Sequence, residues 1–414
     1  MKRSLTLVVC LGAMIGFASY VVASASAQTL SPRNNVVAYV YVANSAGGNA
    51  TEISAFAADH AGRLRPVSGS PFMENAGSMA VNGTYLMAVS GTNINAYRIA
   101  DDGSLTYAVS TGYQQVQPGC GGANQLEFDH TGQSLYVTEY QVDCSNNGLT
   151  NWAVDNSTGA LNYLGLTDTG NWNVNAPSFI GNNVFAYTAF NDNCMYYSLN
   201  SFKRDANGML TEFSSGLNSP PPPAGFSGYI PYLGAADPTN HVAFAEIPAN
   251  PPGCAADPVQ LATYTVNSDG SLTTTSTAAN MPATAIQNIY DMKMAPSGQL
   301  LAVAGQEGLQ IFHFNGANPI TPYTGLLTTD PINQMFWDND NHLYAITAAY
   351  SGGSNNLHVF TVTPWGYREA PGSPYTLSGP RNIIVQPWPR YQAWQPEPRV
   401  AGAIQRLGPL MLKP

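Results

Sequence analysis

The chain has 414 residues, of which only 10% are charged, and 25 Asp and Glu against 15 Lys and Arg give a formal net charge of −10. Abundant Gly (39), Pro (30) and Tyr (23) suit many short strands joined by tight turns and leave too few charges for long solvent-facing helices. Setting aside the two ends leaves −15 on residues 28–388, a balance that repels phosphate backbones and argues against nucleic acid as a partner.

At the N-terminus Lys2 and Arg3 precede a mostly apolar run from Leu5 to Val22, and Ala25-Ser26-Ala27 follows. A basic start, an apolar stretch and a small-x-small figure make residues 1–27 an expected export signal, which places the mature chain in a periplasmic or extracellular space. The run is also just long enough to be retained as a membrane anchor. No second apolar stretch of spanning length follows, so the exported chain is expected to be free of the membrane.

A repeat organises the rest. An apolar residue, any residue, a small or apolar residue and an aromatic recur at Ile53 to Phe56, Ile94 to Tyr97, Leu149 to Trp152, Leu199 to Phe202, Leu261 to Tyr264, Leu309 to Phe312 and Leu357 to Phe360, 41 to 62 residues apart. Such a period marks stacked supersecondary units. The clearest unit runs from Ile289 to Thr328: an inner strand at Met292 to Met294, a turn, then strands at Gln299 to Ala304, Leu309 to Phe314 and from Ile320 onward. Four strands make a propeller blade. The same order starts at Gly77, Asn124, Pro177, Tyr229 and Asn333, and hairpins such as Asp102-Gly103-Ser104 and Asp269-Gly270-Ser271 supply the glycine that a positive φ requires.

The first unit lacks an inner strand, since Val36 to Asn44 already reads as a second strand, and the last has a surplus one from Arg381 to Pro387. The chain therefore reads as all-β. Residues 28–388 form a seven-bladed β-propeller, closed by a C-terminal strand that completes the first blade with Ile384 beside Tyr41, which hides edges that would otherwise pair with other chains. Residues 389–414, Pro-rich and mildly basic, read as a mobile tail.

Cys120, Cys144, Cys194 and Cys254 remain after signal removal. An even count in an exported chain points to two disulfides, whereas no Cys-x-x-Cys pair and no His at ligand spacing supports zinc, so no metal is expected. Second-to-third and fourth-to-first connections share one rim of a propeller. That rim carries the long loops Gln141 to Gly148, Asn191 to Ser198 and Pro248 to Pro258, with all four cysteines. The expected pairs are Cys120 with Cys144 and Cys194 with Cys254, each restricting the unfolded chain. Elaborated loops on a rigid scaffold are where function usually resides.

The period of two along inner strands sorts polar from apolar positions. It sends Ser78, Gln125, Ser178, Asp291, Gln334 and Asn382 toward the axis near the elaborated rim, with Glu127 and Lys293 one step deeper. The fifth unit, around Tyr232, is too irregular to align. Such a ring can bind a polar small molecule such as a sugar or lactone, or order a column of water. Glu127 and Lys293 can equally form a plain ion pair.

Tyr39-Val40-Tyr41-Val42-Ala43-Asn44 and Leu135-Tyr136-Val137-Thr138-Glu139 resemble the repeat signature of the YVTN and lactonase-type seven-bladed propeller family. Gly69-Ser70-Pro71-Phe72 and Gly372-Ser373-Pro374-Tyr375 match its blade-ending figure. Gly379-Pro380-Arg381 resembles a family figure that usually continues with His, where Asn382 stands here. The resemblance spans Val36 to Trp388 and implies the propeller fold. The family includes 6-phosphogluconolactonases, muconate-cyclising enzymes and exported proteins of surface role, and the figure it shares places Arg381 at the strand mouth as a candidate catalytic residue or a bridge to Asp291. Export and a scarcity of Lys and Arg sit badly with a phosphosugar substrate.

Other motifs carry little chemistry. None of the six histidines falls at the expected mouth: His60 and His130 lie in turns, His241 and His342 open second strands, His313 and His358 sit within third strands. No Gly-x-Ser-x-Gly elbow occurs. Asp338-Asn339-Asp340-Asn341 reads as a β-turn rather than a calcium loop, Pro220 to Pro223 as a stiff connector or a segment offered to a partner, and Asn49 and Asn82 open glycosylation triplets. Two functions follow. One is a monomeric binding or scaffold module that presents the long loops over the third to fifth blades to a protein partner. The alternative is a hydrolase opening a small lactone or sugar-derived ester at the channel mouth, with Arg381 stabilising carbonyl charge and Asp291 or Glu127 positioning water. Neither needs a cofactor.

Overall fold

The computed structural model describes residues 35–388 apart from 46–51, 117–118, 120–121, 141–147, 171–173, 193–195, 215–217, 251–252, 255–257 and 348–353. The export signal, the tail, Asn49, most of the long loops and Cys120, Cys144 and Cys194 lie outside the described residues. Cys254 lies on the short strand Gly253–Cys254 without a described side chain, so both cysteine pairings also fall outside them.

Seven antiparallel sheets make up the described residues, with no helix among them and hence none long and apolar enough to cross a membrane. Each sheet runs outward from an inner strand. The sixth blade, for example, is Ile289–Met294, Leu300–Gly305, Gly308–Asn315 and Asn318–Thr328 in that order. The first blade takes its three outer strands from the start of the described chain and its inner strand, Pro380–Pro387, from the end. That strand pairs antiparallel with Val36–Asn44, and Ile384 stands opposite Tyr41, the closure expected from the sequence.

The repeated four-residue figure is the signature of a strand packed on both sides. Positions i and i+3 of a strand project to opposite faces, so its apolar and aromatic ends enter the cores on either side of one blade. Ile94 packs with Leu126 and Val137 of the third blade, Tyr97 with Tyr41 and Ile384 of the first. Leu309 and Phe312 likewise divide between the seventh and the fifth blades.

Tyrosines of the second strands lock the seams. The hydroxyls of Tyr41, Tyr136 and Tyr187 donate to the carbonyls of Gly103, Gly208 and Gly270 at 2.9, 2.9 and 2.7 Å, each a hairpin of the next blade. Gly103 adopts φ +82°, and a Cβ there would lie 2.3 Å from the Tyr39 ring. Conformational need and close approach both demand glycine.

Asp-x-x-x-His, a spacing overlooked in the sequence, closes turns between inner and second strands. The Nδ1 atoms of His241 and His342 lie 3.1 and 2.8 Å from the Oδ2 atoms of Asp237 and Asp338. Asp338 also accepts from the backbone N–H groups of Asp340 and His342 and from the Tyr344 hydroxyl, each at 2.8 Å, which makes 338–341 the β-turn expected. Asn82 is buried, its amide donating to the Gly132 carbonyl and its Oδ1 accepting from the Thr84 and Tyr85 N–H groups. Its triplet is a structural turn and offers no accessible amide for a glycan.

Candidate functional site in the axial channel

The inner strands of all seven blades enclose an axial cavity of about 730 Å³. Ser78, Gln125, Glu127, Ser178, Asp291, Lys293, Gln334, Arg381 and Asn382 all line it. The eight residues that strand parity aims at the axis thus come together, and Arg381, named from the family figure, lies among them.

What the upper ring does there is largely structural. Asn382 of the first blade accepts from the Met79 N–H of the second at 3.0 Å, Ser78 from Leu126 of the third at 3.2 Å, and Gln125 from Ala176 of the fourth at 2.6 Å. Ser178, which its register with Tyr187 sets one step deeper than expected from the sequence, accepts from Ala236 of the fifth at 2.8 Å, Asp291 from Met335 of the seventh at 2.9 Å, and Gln334 from Ile383 of the first at 2.8 Å. Each side chain therefore clamps its blade to the next, satisfying a backbone donor that would otherwise face the channel. The fifth blade departs from this pattern. The inner strand Gly228–Ala236 bulges between Pro231 and Gly234, so that Tyr232 and Leu233 together oppose Ala245 at the ring position. Gly234 itself faces the core, where a Cβ would meet the Phe244 ring at 2.5 Å. That bulge is also why the fifth unit could not be aligned.

One step deeper the wall changes character. Register places Ala80, Glu127, Ser178, Ala235, Lys293, Phe336 and Ile384 at equivalent positions, opposite Met87, Tyr136, Tyr187, Ala243, Ala302, Tyr344 and Tyr41, and all seven line the cavity. Four are apolar. Sequence reasoning named the two charged members and passed over this girdle, although the same alternation marks it.

Lys293 and Glu127 stand on blades as far apart as a seven-membered ring allows. They form no ion pair. Instead the Lys293 Nζ lies 3.6 Å from the Asp291 carboxylate of its own strand and 4.7 Å from the centre of the Phe336 ring. Arg381 is exposed at the mouth and bridges no carboxylate among the described residues, Asp291 included. Asn333 donates its side-chain amide to the Arg381 carbonyl at 3.2 Å.

Removal from bulk water dominates the titration of these groups. It pushes the Glu127 carboxyl up to about 7, with Lys293 opposing the rise and Asp291 adding to it. Burial also raises Asp291, against the pull of Lys293 and of the Met335 and Met292 N–H groups. For Lys293 burial works against the charge, but Asp291 and Glu127 outweigh it and hold the ammonium above the ordinary lysine value. The site thus offers a carboxylate that exchanges its proton near neutrality and a firmly charged ammonium, properties suited to general base and electrostatic roles. The scaffold reading rests on loops that lie mainly outside the described residues.

No family model and no curated relative matches the chain. Among solved structures it is similar to a candidate 6-phosphogluconolactonase from Bacteroides fragilis, at 13% identity and a TM-score of 0.60 over 84% of this chain and 98% of that one. A protein from Lactobacillus plantarum gives 11% and 0.57 over 84% and 99%. The periplasmic gluconolactonase of Pseudomonas aeruginosa gives 16% and 0.50 over 70% and 82%. At such identities the likeness shows the propeller fold alone.

Proposed function

We propose that this chain is an exported propeller whose axial cavity binds a small lactone and hydrolyses its ring ester. Glu127 carries the reading: a channel carboxylate with no hydrogen-bond or ion-pair partner among the described residues, held near 7 at the depth of Lys293. Water attacks the lactone carbonyl carbon while Glu127 takes its proton, and the carbonyl electron pair moves onto oxygen beside the Lys293 ammonium. Collapse of the tetrahedral species breaks the ring C–O bond. Glu127 then returns the proton to the departing alkoxide, giving a hydroxy acid.

Asp291, tied to the Met335 N–H, keeps Lys293 charged and oriented and is a positioning residue rather than the base. Arg381 lies three residues along the closing strand from the girdle, about 10 Å toward the mouth, where its charge draws in electron-rich substrates. The reaction class is taken from the B. fragilis and P. aeruginosa proteins by analogy of fold; the assigned residues come from this chain's own geometry. Proton release from a lactone panel tests the reading. Glu127→Gln and Lys293→Met should each lower kcat by roughly 100-fold with melting preserved; turnover indifferent to both changes contradicts it.

A further inference from the structure

If the cavity hydrolyses lactones, its wall also selects among them, and this inference rests on that reading. The clamping side chains have their acceptor oxygens already engaged by backbone N–H groups, at Asn382, Ser78, Gln125, Ser178 and Gln334. The amide NH2 groups of Gln125, Gln334 and Asn382, together with Lys293 and Arg381, supply donors to the cavity. At the reacting depth the wall is Ala80, Ala235, Phe336 and Ile384 around Ser178 and the two charged side chains, and nearer the mouth the fifth blade contributes Leu233.

A sugar lactone brings several hydroxyl groups, each an O–H donor that needs an acceptor once it leaves water. The carboxylates facing it are few. Asp291 is held by Lys293 and the Met335 N–H, Asp129 is buried and paired with Arg204 at 2.7 Å, and Glu127 is committed to water. An aliphatic lactone reverses these demands. Its two oxygens only accept, matching the donors present, and its alkyl carbon has an apolar wall to cover. We infer that the preferred substrate is a hydroxyl-poor lactone bearing an aliphatic substituent, not a sugar lactone.

The test compares δ-octanolactone with D-glucono-δ-lactone on the mature full-length chain, by proton release near about pH 8 corrected for spontaneous opening, where Glu127 is ionised. The expected result is a kcat/KM about tenfold or more higher for δ-octanolactone, in line with what apolar pocket contacts discriminate. Equal or better turnover of the gluconolactone overturns the inference and leaves the hydrolytic reading standing. If neither lactone is opened, the hydrolytic reading falls and the inference with it. Leu233→Asn, at the mouth, replaces apolar wall by an amide and should move the ratio toward the gluconolactone by roughly threefold or more. An unchanged ratio in that variant also counts against the inference.

Discussion

Lys293 turns its ammonium onto Asp291, two residues away on the same inner strand, with Nζ 3.6 Å from Oδ1, and thereby leaves Glu127 across the channel without a counter-ion in contact. Burial then pushes the Glu127 carboxyl up to about 7, a rise that Lys293 opposes only from a distance and Asp291 adds to. Were Lys293 paired with Glu127 instead, the carboxyl would ionise at ordinary acid pH and make a poorer base.

The first prediction follows from this geometry. With Glu127 at about 7, lactone hydrolysis should fall as pH drops below that value, because the base form is lost. In Asp291→Asn the charge that raises Glu127 disappears and Lys293 has only Glu127 left to attract, so the acidic limb should move down by about one unit. The pH dependence of kcat/KM measures the limb, and carboxyl NMR of Glu127 measures the same shift without turnover. An unmoved limb places the base elsewhere.

Glu246 provides a prediction about stability. It is fully buried in the fifth blade, its Oε1 accepts from the Tyr264 hydroxyl at 2.5 Å, and its Oε2 has no partner. Burial pushes its carboxyl up to about 7, partly offset by the Tyr264 bond. A folded-state value above the unfolded one means the folded chain holds the extra proton, so stability is greatest below the ordinary glutamate range and declines as pH rises through about 7. Glu246→Gln removes that dependence. It should gain on the order of 1–3 kcal/mol over the parent at about pH 8 and nothing near about pH 4 in denaturant titrations.

The Gly103 hairpin offers a sharper structural test. Alanine there meets both the unfavourable φ of +82° and the Tyr39 ring at 2.3 Å. Gly103→Ala should cost about 3 kcal/mol or more, while Gly91→Ala, with φ +61° but no atom within 4 Å, should cost about 1 kcal/mol. Comparing the two melting curves separates close approach from backbone strain.

How much was legible beforehand depended on whether a signal is local. Strand parity is a two-residue rule, so Ser78, Gln125, Asp291 and Asn382 could be aimed at the axis without knowing the fold in detail, and the surplus strand at Ile384 announced its own partner. Parity does not say what a side chain meets. That Gln334 would clamp the Ile383 N–H, or that Lys293 would choose Asp291 over Glu127, depends on the neighbouring blade's position and on distances a sequence does not carry. The fifth blade failed for a different reason: one inserted residue before Gly234 flips the alternation, and Tyr232 and Leu233 then read out of phase. The Asp237 and His241 pair was overlooked because four-residue spacing has no meaning in a strand pattern until the turn it closes is seen.

The closing strand concentrates the last prediction. Ile383 sits on Pro380–Pro387, held laterally by Val36–Asn44 and from the side by Gln334, whose Oε1 accepts the Ile383 N–H at 2.8 Å. Gln334→Ala removes that acceptor from a buried donor and should cost roughly 1–3 kcal/mol, whereas Asn124→Ala, an exposed residue at the mouth, should stay within about 0.5 kcal/mol. Ending the chain after Ser378 takes away the whole inner strand of the first blade, opens the edge of Val36–Asn44 and uncovers the cores containing Ile383 and Ile384. That truncation should abolish the cooperative unfolding transition, while ending after Trp388, which meets the Tyr39 ring edge-on at 5.6 Å, should preserve it. Calorimetry on the two truncations decides the matter: a normal transition in the shorter chain means the ring holds without its clasp, and the clamp series through Gln334 cannot then be what secures the channel wall.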